Sequence, residues 1–212
     1  MDNKKTKPPK APASPKATKS PRPRSDKRDT LRRLVLSAMF LAIGMILPFF
    51  TGHIQQIGNM ILPMHIPVLL CGLVCGWQYG GAVGLLLPLI RSLLFTMPPL
   101  YPTAVAMAAE LCVYGLVIGA IYGRIRKQNP LTVYLALIPA MLAGRLVWGG
   151  AMLLLLRLEG SAFTVAAFLS GAVLNAIPGI IIQLILIPAV MSTLHITGLS
   201  RFRSVSATEV SP

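Results

Sequence analysis

Between residues 34 and 200 the chain runs in long apolar stretches interrupted by clusters of glycine and proline, with little alternation of polar and apolar positions. Cutting at those clusters and at charges gives six candidate helices, at about 33–50, 60–76, 79–96, 102–124, 131–156 and 163–194, each close to or longer than the ~20 apolar residues that cross a bilayer. The second and third are short. Gly76-Trp77-Gln78-Tyr79-Gly80 reads as a tight, aromatic-bearing turn at a membrane interface. Thr96-Met97-Pro98-Pro99-Leu100-Tyr101-Pro102 reads as another, because its prolines lack backbone donors and restrict the residues before them. The expected fold is an all-α integral membrane protein of six transmembrane helices.

Composition sharpens this picture. Only 12% of the 212 residues are charged, about half the share in a soluble domain, which excludes a soluble globular fold. The net charge of +14 is not spread out, since residues 1–33 hold twelve Lys/Arg and three Asp. Residues 1–32, with six prolines and few large apolar side chains, cannot bury enough surface to offset the entropy of ordering, and read as a disordered cytoplasmic tail. A solvated, orienting tail is the plainer reading and binding to anionic lipid the alternative. Nucleic acid is not indicated. Residues 33–195 form the membrane domain and 196–212 a short cytoplasmic tail. The long polar stretch before the first span does not fit a cleaved signal peptide.

Lys and Arg collect on the cytoplasmic side of membrane proteins. With both termini inside, seventeen of the twenty fall there, counting Arg124, Arg126, Lys127, Arg201 and Arg203, whereas Arg157 alone falls outside. Arg91 and Arg145 are embedded.

Gly115-x3-Gly119-x3-Gly123, Gly72-x3-Gly76 and Gly80-x3-Gly84 are small-residue stripes that read as internal helix packing. Cys71, Cys75 and Cys112 lie in apolar runs without a ligand-spaced histidine, and read as small buried hydrophobes; neither a metal nor another cofactor is implied.

Ionisable groups inside a bilayer are costly, about 2.5–3.5 kcal/mol each on insertion scales, and therefore mark candidate sites. At 1.5 Å per residue, Arg91, Glu110 and Arg145 lie roughly 8, 12 and 16 Å below the outer ends of their spans. His65 enters from the outer side of the second span and Asn175 lies near the midplane of the sixth, with Gln183 deeper. His65, Arg91, Glu110, Arg145 and Asn175 are thus the candidate substrate-binding residues of a pocket opening outward. Two arginines against one glutamate leave a positive balance, which suits a small anionic ligand. The competing reading is an internal ion pair that only locks helices together. No GxSxG, HExxH, Cys/His pair in plausible register or GxxxxGK[ST] loop is present, so no catalytic residues are assigned and any ATP hydrolysis falls to a partner.

The segment from Leu62-Pro63-Met64-His65-Ile66-Pro67 to Gly76, then Gly80-Gly81-Ala82-Val83-Gly84, Met97-Pro98-Pro99 and Glu110-Leu111-Cys112-Val113-Tyr114-Gly115, resembles the substrate-binding S component of a bacterial energy-coupling factor (ECF) transporter. The resemblance covers about residues 33–195. It implies a non-enzymatic, multi-pass subunit of the bacterial plasma membrane that binds a vitamin or related micronutrient from outside with high affinity. It implies partners too: a membrane coupling subunit and two cytoplasmic ATPases. Ala38 and Ala42, four apart in the first span, would form the docking surface. Family ligands range from riboflavin, folate, biotin and thiamin to pantothenate; the extra arginine tilts the expectation toward pantothenate or another monoanion, and a riboflavin-like ligand stays open. The long Lys/Pro tail departs from the family pattern. The rival classes are a membrane scaffold protein with structural ion pairs and a membrane-embedded enzyme.

Overall fold

Apolar segments between glycine and proline breaks become helices because a backbone surrounded by lipid must satisfy its own hydrogen bonds. The structure, a computed structural model, describes residues 25–50, 62–125, 130–160 and 177–196. Among the described residues the helices are, in chain order, α1 (Ser25–Phe50), α2 (His65–Cys75), α3 (Trp77–Phe95), α4 (Val105–Arg124, preceded by a π-helical turn, Leu100–Ala104), α5 (Pro130–Leu158) and α6 (Ile177–Ile196). Five are long and apolar enough to cross a membrane; α2 is the short one.

Helix order matches the sequence expectation, but two lengths differ. Eleven residues give α2 a length of about 16 Å, roughly half a bilayer core, so the expected second span is not a full crossing by itself. α1 begins at Ser25, eight residues before the expected start, so residues 25–32, assigned to the disordered tail, are helical. The rest of the tail, the start of the expected sixth span and residues 197–212 lie outside the described residues.

Gly76 takes φ 101°, open to glycine but strained for other residues, and alone reverses the chain between α2 and α3. Trp77 and Tyr79, expected in the turn, already belong to α3. Segment 96–102 does end a helix: Thr96 is left-handed at φ 58° and its N–H bonds Ser92 O. The Tyr101 hydroxyl donates to Leu155 O at 2.7 Å, fastening this turn to the end of α5.

Glycines let three helices meet at backbone distance. A Cβ on Gly80 would lie 2.6 Å from Gly72 Cα and 2.9 Å from Gly115 O, one on Gly72 2.9 Å from Gly115 O, and one on Gly119 2.5 Å from Trp77 Cα. The stripes therefore pack internally, as expected, with two exceptions: Gly76 serves the turn and Gly123 is exposed. This crossing buries α2 on every side, leaving only Val74 part-exposed. α5 shows the opposite pattern. Its buried face carries Val133, Ala136, Leu137, Ala140 and Met141, while Leu131, Leu135, Ile138, Leu142 and Leu146 point outward at helical spacing. Such a face matches lipid, not water.

Proline stands inside α1, α3, α5 and α6 (Pro48, Pro88, Pro139 and Pro188) but not inside α4.

Candidate functional site

Glu110 is fixed by its place on α4, five residues before Gly115, where that glycine presses α4 against α3. Its side chain is 1% exposed, and two cationic or potentially cationic groups meet the same carboxylate oxygen. Arg145 Nη1, from α5, lies 3.1 Å from Oε1, and His65 Nε2, from the first turn of α2, lies 3.5 Å from it. Tyr114, one turn after Glu110, closes the group. Its ring meets the imidazole edge-on at 5.3 Å and 62°, its phenol faces Glu110 and Arg145, and Gly144 leaves room for it, since a Cβ there would lie 2.6 Å from Tyr114 Cδ1. Three helices thus deliver an acid, a guanidinium, an imidazole and a phenol to one buried point.

The cluster is not saturated. Among the described residues, Arg145 Nε and Nη2 and both His65 nitrogens are buried without a hydrogen-bond partner. Nε–H and the neighbouring Nη2–H form one edge of the guanidinium, the donor fork that matches a carboxylate or phosphate. Buried donors left in this state cost about 1–3 kcal/mol each, so the arrangement favours any ligand able to accept from them. Gln183 on α6 is also buried, and among the described residues its amide nitrogen and oxygen are unpartnered.

Arg91 does not join the cluster. Gly84 of α3 packs against Leu111 of α4, which places Arg91 about 9 Å further along the bundle than Glu110, toward the 96–102 turn. There its Nη1 donates to Met45 O at 2.6 Å, and its guanidinium lies 5.1 Å from the Phe49 ring centroid and 5.4 Å from that of Phe95. The charge balance expected from two arginines and one glutamate is corrected accordingly. Arg145 and Glu110 alone cancel, and the second guanidinium is held by a carbonyl and two aromatic faces that tie α1 to α3. Asn175 lies outside the described residues. Convergence from five helices was expected, and the described residues bring together three.

The sequence reading passed over Tyr114 as a site residue, although its i+4 spacing from Glu110 puts both on one face of α4. Ala38 and Ala42 are exposed on α1, in a face shared with Leu34, Val35, Met39, Ile43 and Ile46.

Comparison with curated proteins and with solved structures gives no match. The family described as "ECF transporter, substrate-specific component" matches residues 32–191, three quarters of the chain and every helix that builds the cluster. Such components are transport subunits and not enzymes, the ATPase activity lying in partner subunits. With several membrane-length helices around a buried polar cluster, this multi-pass membrane protein belongs to the family of substrate-specific components of ECF transporters.

Proposed function

We propose that the chain is the high-affinity binding subunit of an ECF-type importer for a vitamin or related micronutrient, in the plasma membrane of a bacterium. The binding site is centred on His65, Glu110, Tyr114 and Arg145, with Asn175 as an outlying member and Arg91 as a structural tie between α1 and α3. The observation that carries this reading is the buried, unpartnered Nε/Nη2 edge of Arg145 beside an acid and an imidazole. It favours a small monoanion such as pantothenate over a riboflavin-like compound. The six helices have both termini in the cytoplasm, on the count of seventeen Lys/Arg against one. The 96–102 turn then faces outward and the site lies in the outer half of the membrane. A coupling subunit docks on the Ala38/Ala42 face, and two cytoplasmic ATPases drive release.

A second reading, a scaffold with a structural ion pair, draws on the direct 3.1 Å contact between Glu110 and Arg145. Mass spectrometry of small molecules retained on the purified chain separates the two. A stoichiometric micronutrient is expected; an empty protein at any added concentration of the family's ligands would favour the scaffold.

A further inference from the structure

We infer that binding of a substrate carboxylate to Arg145 is coupled to uptake of one proton by His65. The inference rests on the proposed substrate-binding role of this cluster and adds the ionic chemistry of capture. In the cluster as it stands, the Arg145 and Glu110 charges cancel at 3.1 Å and a neutral His65 adds none. Arg91 does not enter the count, being about 9 Å further along the bundle and already engaged with Met45 O and two rings.

A carboxylate seated on the free Nε/Nη2 edge would make the buried cluster net negative. Uncompensated charge away from water is strongly disfavoured and is commonly relieved by a change of protonation. Imidazole is the side chain that takes a proton near neutral pH, and His65 is built into this cluster for that change. Its Nε2 already lies 3.5 Å from Glu110 Oε1, the oxygen that Arg145 shares. Protonation turns that contact into an ion pair, so Glu110 keeps a cationic partner while Arg145 is given over to the substrate. The two pairs, His65 with Glu110 and Arg145 with the carboxylate, sum to zero. Nδ1, also without a partner among the described residues, becomes a second donor.

Glu110 is the other described group within reach that could take this proton, and the His65→Gln variant below separates the two. From α4, Glu110 and Tyr114 face the imidazole, and from α5, Arg145 does. α3 contributes only the distant Arg91, and α6 the uncharged Gln183. On α1 the last charge is Arg33, twelve residues, about 18 Å, before Met45 and toward the opposite end of the bundle.

The test is titration calorimetry on the full chain in detergent. The probes are pantothenate, nicotinate and biotin, each set against its neutral partner pantothenol, nicotinamide or biotinamide. Runs in phosphate and in Tris, whose ionisation enthalpies differ, count protons. At least one carboxylate is expected to bind ten or more times tighter than its neutral partner. About one proton should be taken up per molecule bound, and affinity should fall toward tenfold per pH unit above the imidazole range. His65→Gln should abolish the uptake. Glu110→Gln supplies a second variant: it leaves Arg145 and the carboxylate neutral on their own, so it should bind without proton uptake and with a flat pH profile. Carboxylate binding without proton uptake, or uptake that persists in His65→Gln, overturns the inference and leaves the transport role standing. Tighter binding of the neutral partners, or no binding of any of the six, overturns the carboxylate site itself.

Discussion

Replacing Gly115 by alanine adds one methyl group at the tightest crossing in the bundle. The new Cβ would fall within the Gly80 peptide and 2.6 Å from Gly81 N, all of it backbone, so no flexible side chain can swing aside. Restoring ordinary contact at about 3.4 Å requires α3 and α4 to separate by about 0.8 Å at Gly81 N and by more at the Gly80 carbonyl, which lies closer still. A gap of that size forfeits roughly a quarter to a half of the dispersion energy between the atoms it parts. Overpacking of this kind costs about 1–3 kcal/mol, and with backbone on both sides the upper half of that range applies. For a chain of this length 2–3 kcal/mol corresponds to a fall in melting temperature of about 4–12 °C. Gly150→Ala is the matched control, because nothing lies within 4 Å of a Cβ there and alanine is the better helix former. Thermal unfolding of both variants in one detergent, followed by tryptophan fluorescence, makes the comparison. Equal stability of the two would refute the claim that backbone contact at Gly115 holds α3 and α4 together.

Ala38→Trp/Ala42→Trp should abolish co-purification with the coupling subunit and cellular uptake while leaving ligand binding in detergent intact, since both alanines face outward on α1; intact uptake would refute the docking assignment. In a background lacking Cys71, Cys75 and Cys112, a cysteine at Leu100 should react with a membrane-impermeant reagent in intact cells and one at Gln128 should not; the reverse pattern would invert the topology. Arg145→Ala should weaken binding of the retained micronutrient about tenfold to a hundredfold, as loss of one charge-assisted hydrogen-bonded contact of roughly 1.5–3 kcal/mol. Because it also leaves Glu110 buried without its strong cation, Glu110→Gln/Arg145→Gln serves as the folded reference, and normal binding by that double variant would remove the pair from the site. Arg91→Met should lower the melting temperature with little change in affinity, its guanidinium being spent on Met45 O; a loss of binding at unchanged stability would return Arg91 to the ligand.

Helix order was legible in the sequence because its glycine and proline breaks act locally, as at Gly76 and Thr96. The extent of α2 was not. A helix buried on all sides has no polar face to mark where it begins, and Leu62 at φ 53° with a His65 N–H to Leu62 O bond sets its start, neither with a signature in an apolar run. The start of α1 was missed for the opposite reason, since its charged first turns continue the helix beyond its apolar part. At the site, Glu110, Arg145 and His65 were legible because buried ionisable groups are too costly to be incidental. The destination of Arg91 was not, because a backbone carbonyl such as that of Met45 carries no mark of its availability in sequence.

The placement of proline divides the bundle by stiffness. Each internal proline removes a donor from the backbone ladder and gives its helix a place to bend, and α1, α3, α5 and α6 each contain one. α4 keeps its ladder unbroken from Val105 to Arg124. When the subunit is pushed or tilted by a partner, flexing is therefore concentrated in the surrounding helices, while the spacing of Glu110, Tyr114 and Gly115 along α4 stays constant. α4 is the mast of the molecule: strain applied at the periphery reaches the site as movement of Arg145, on proline-bearing α5, relative to a fixed carboxylate.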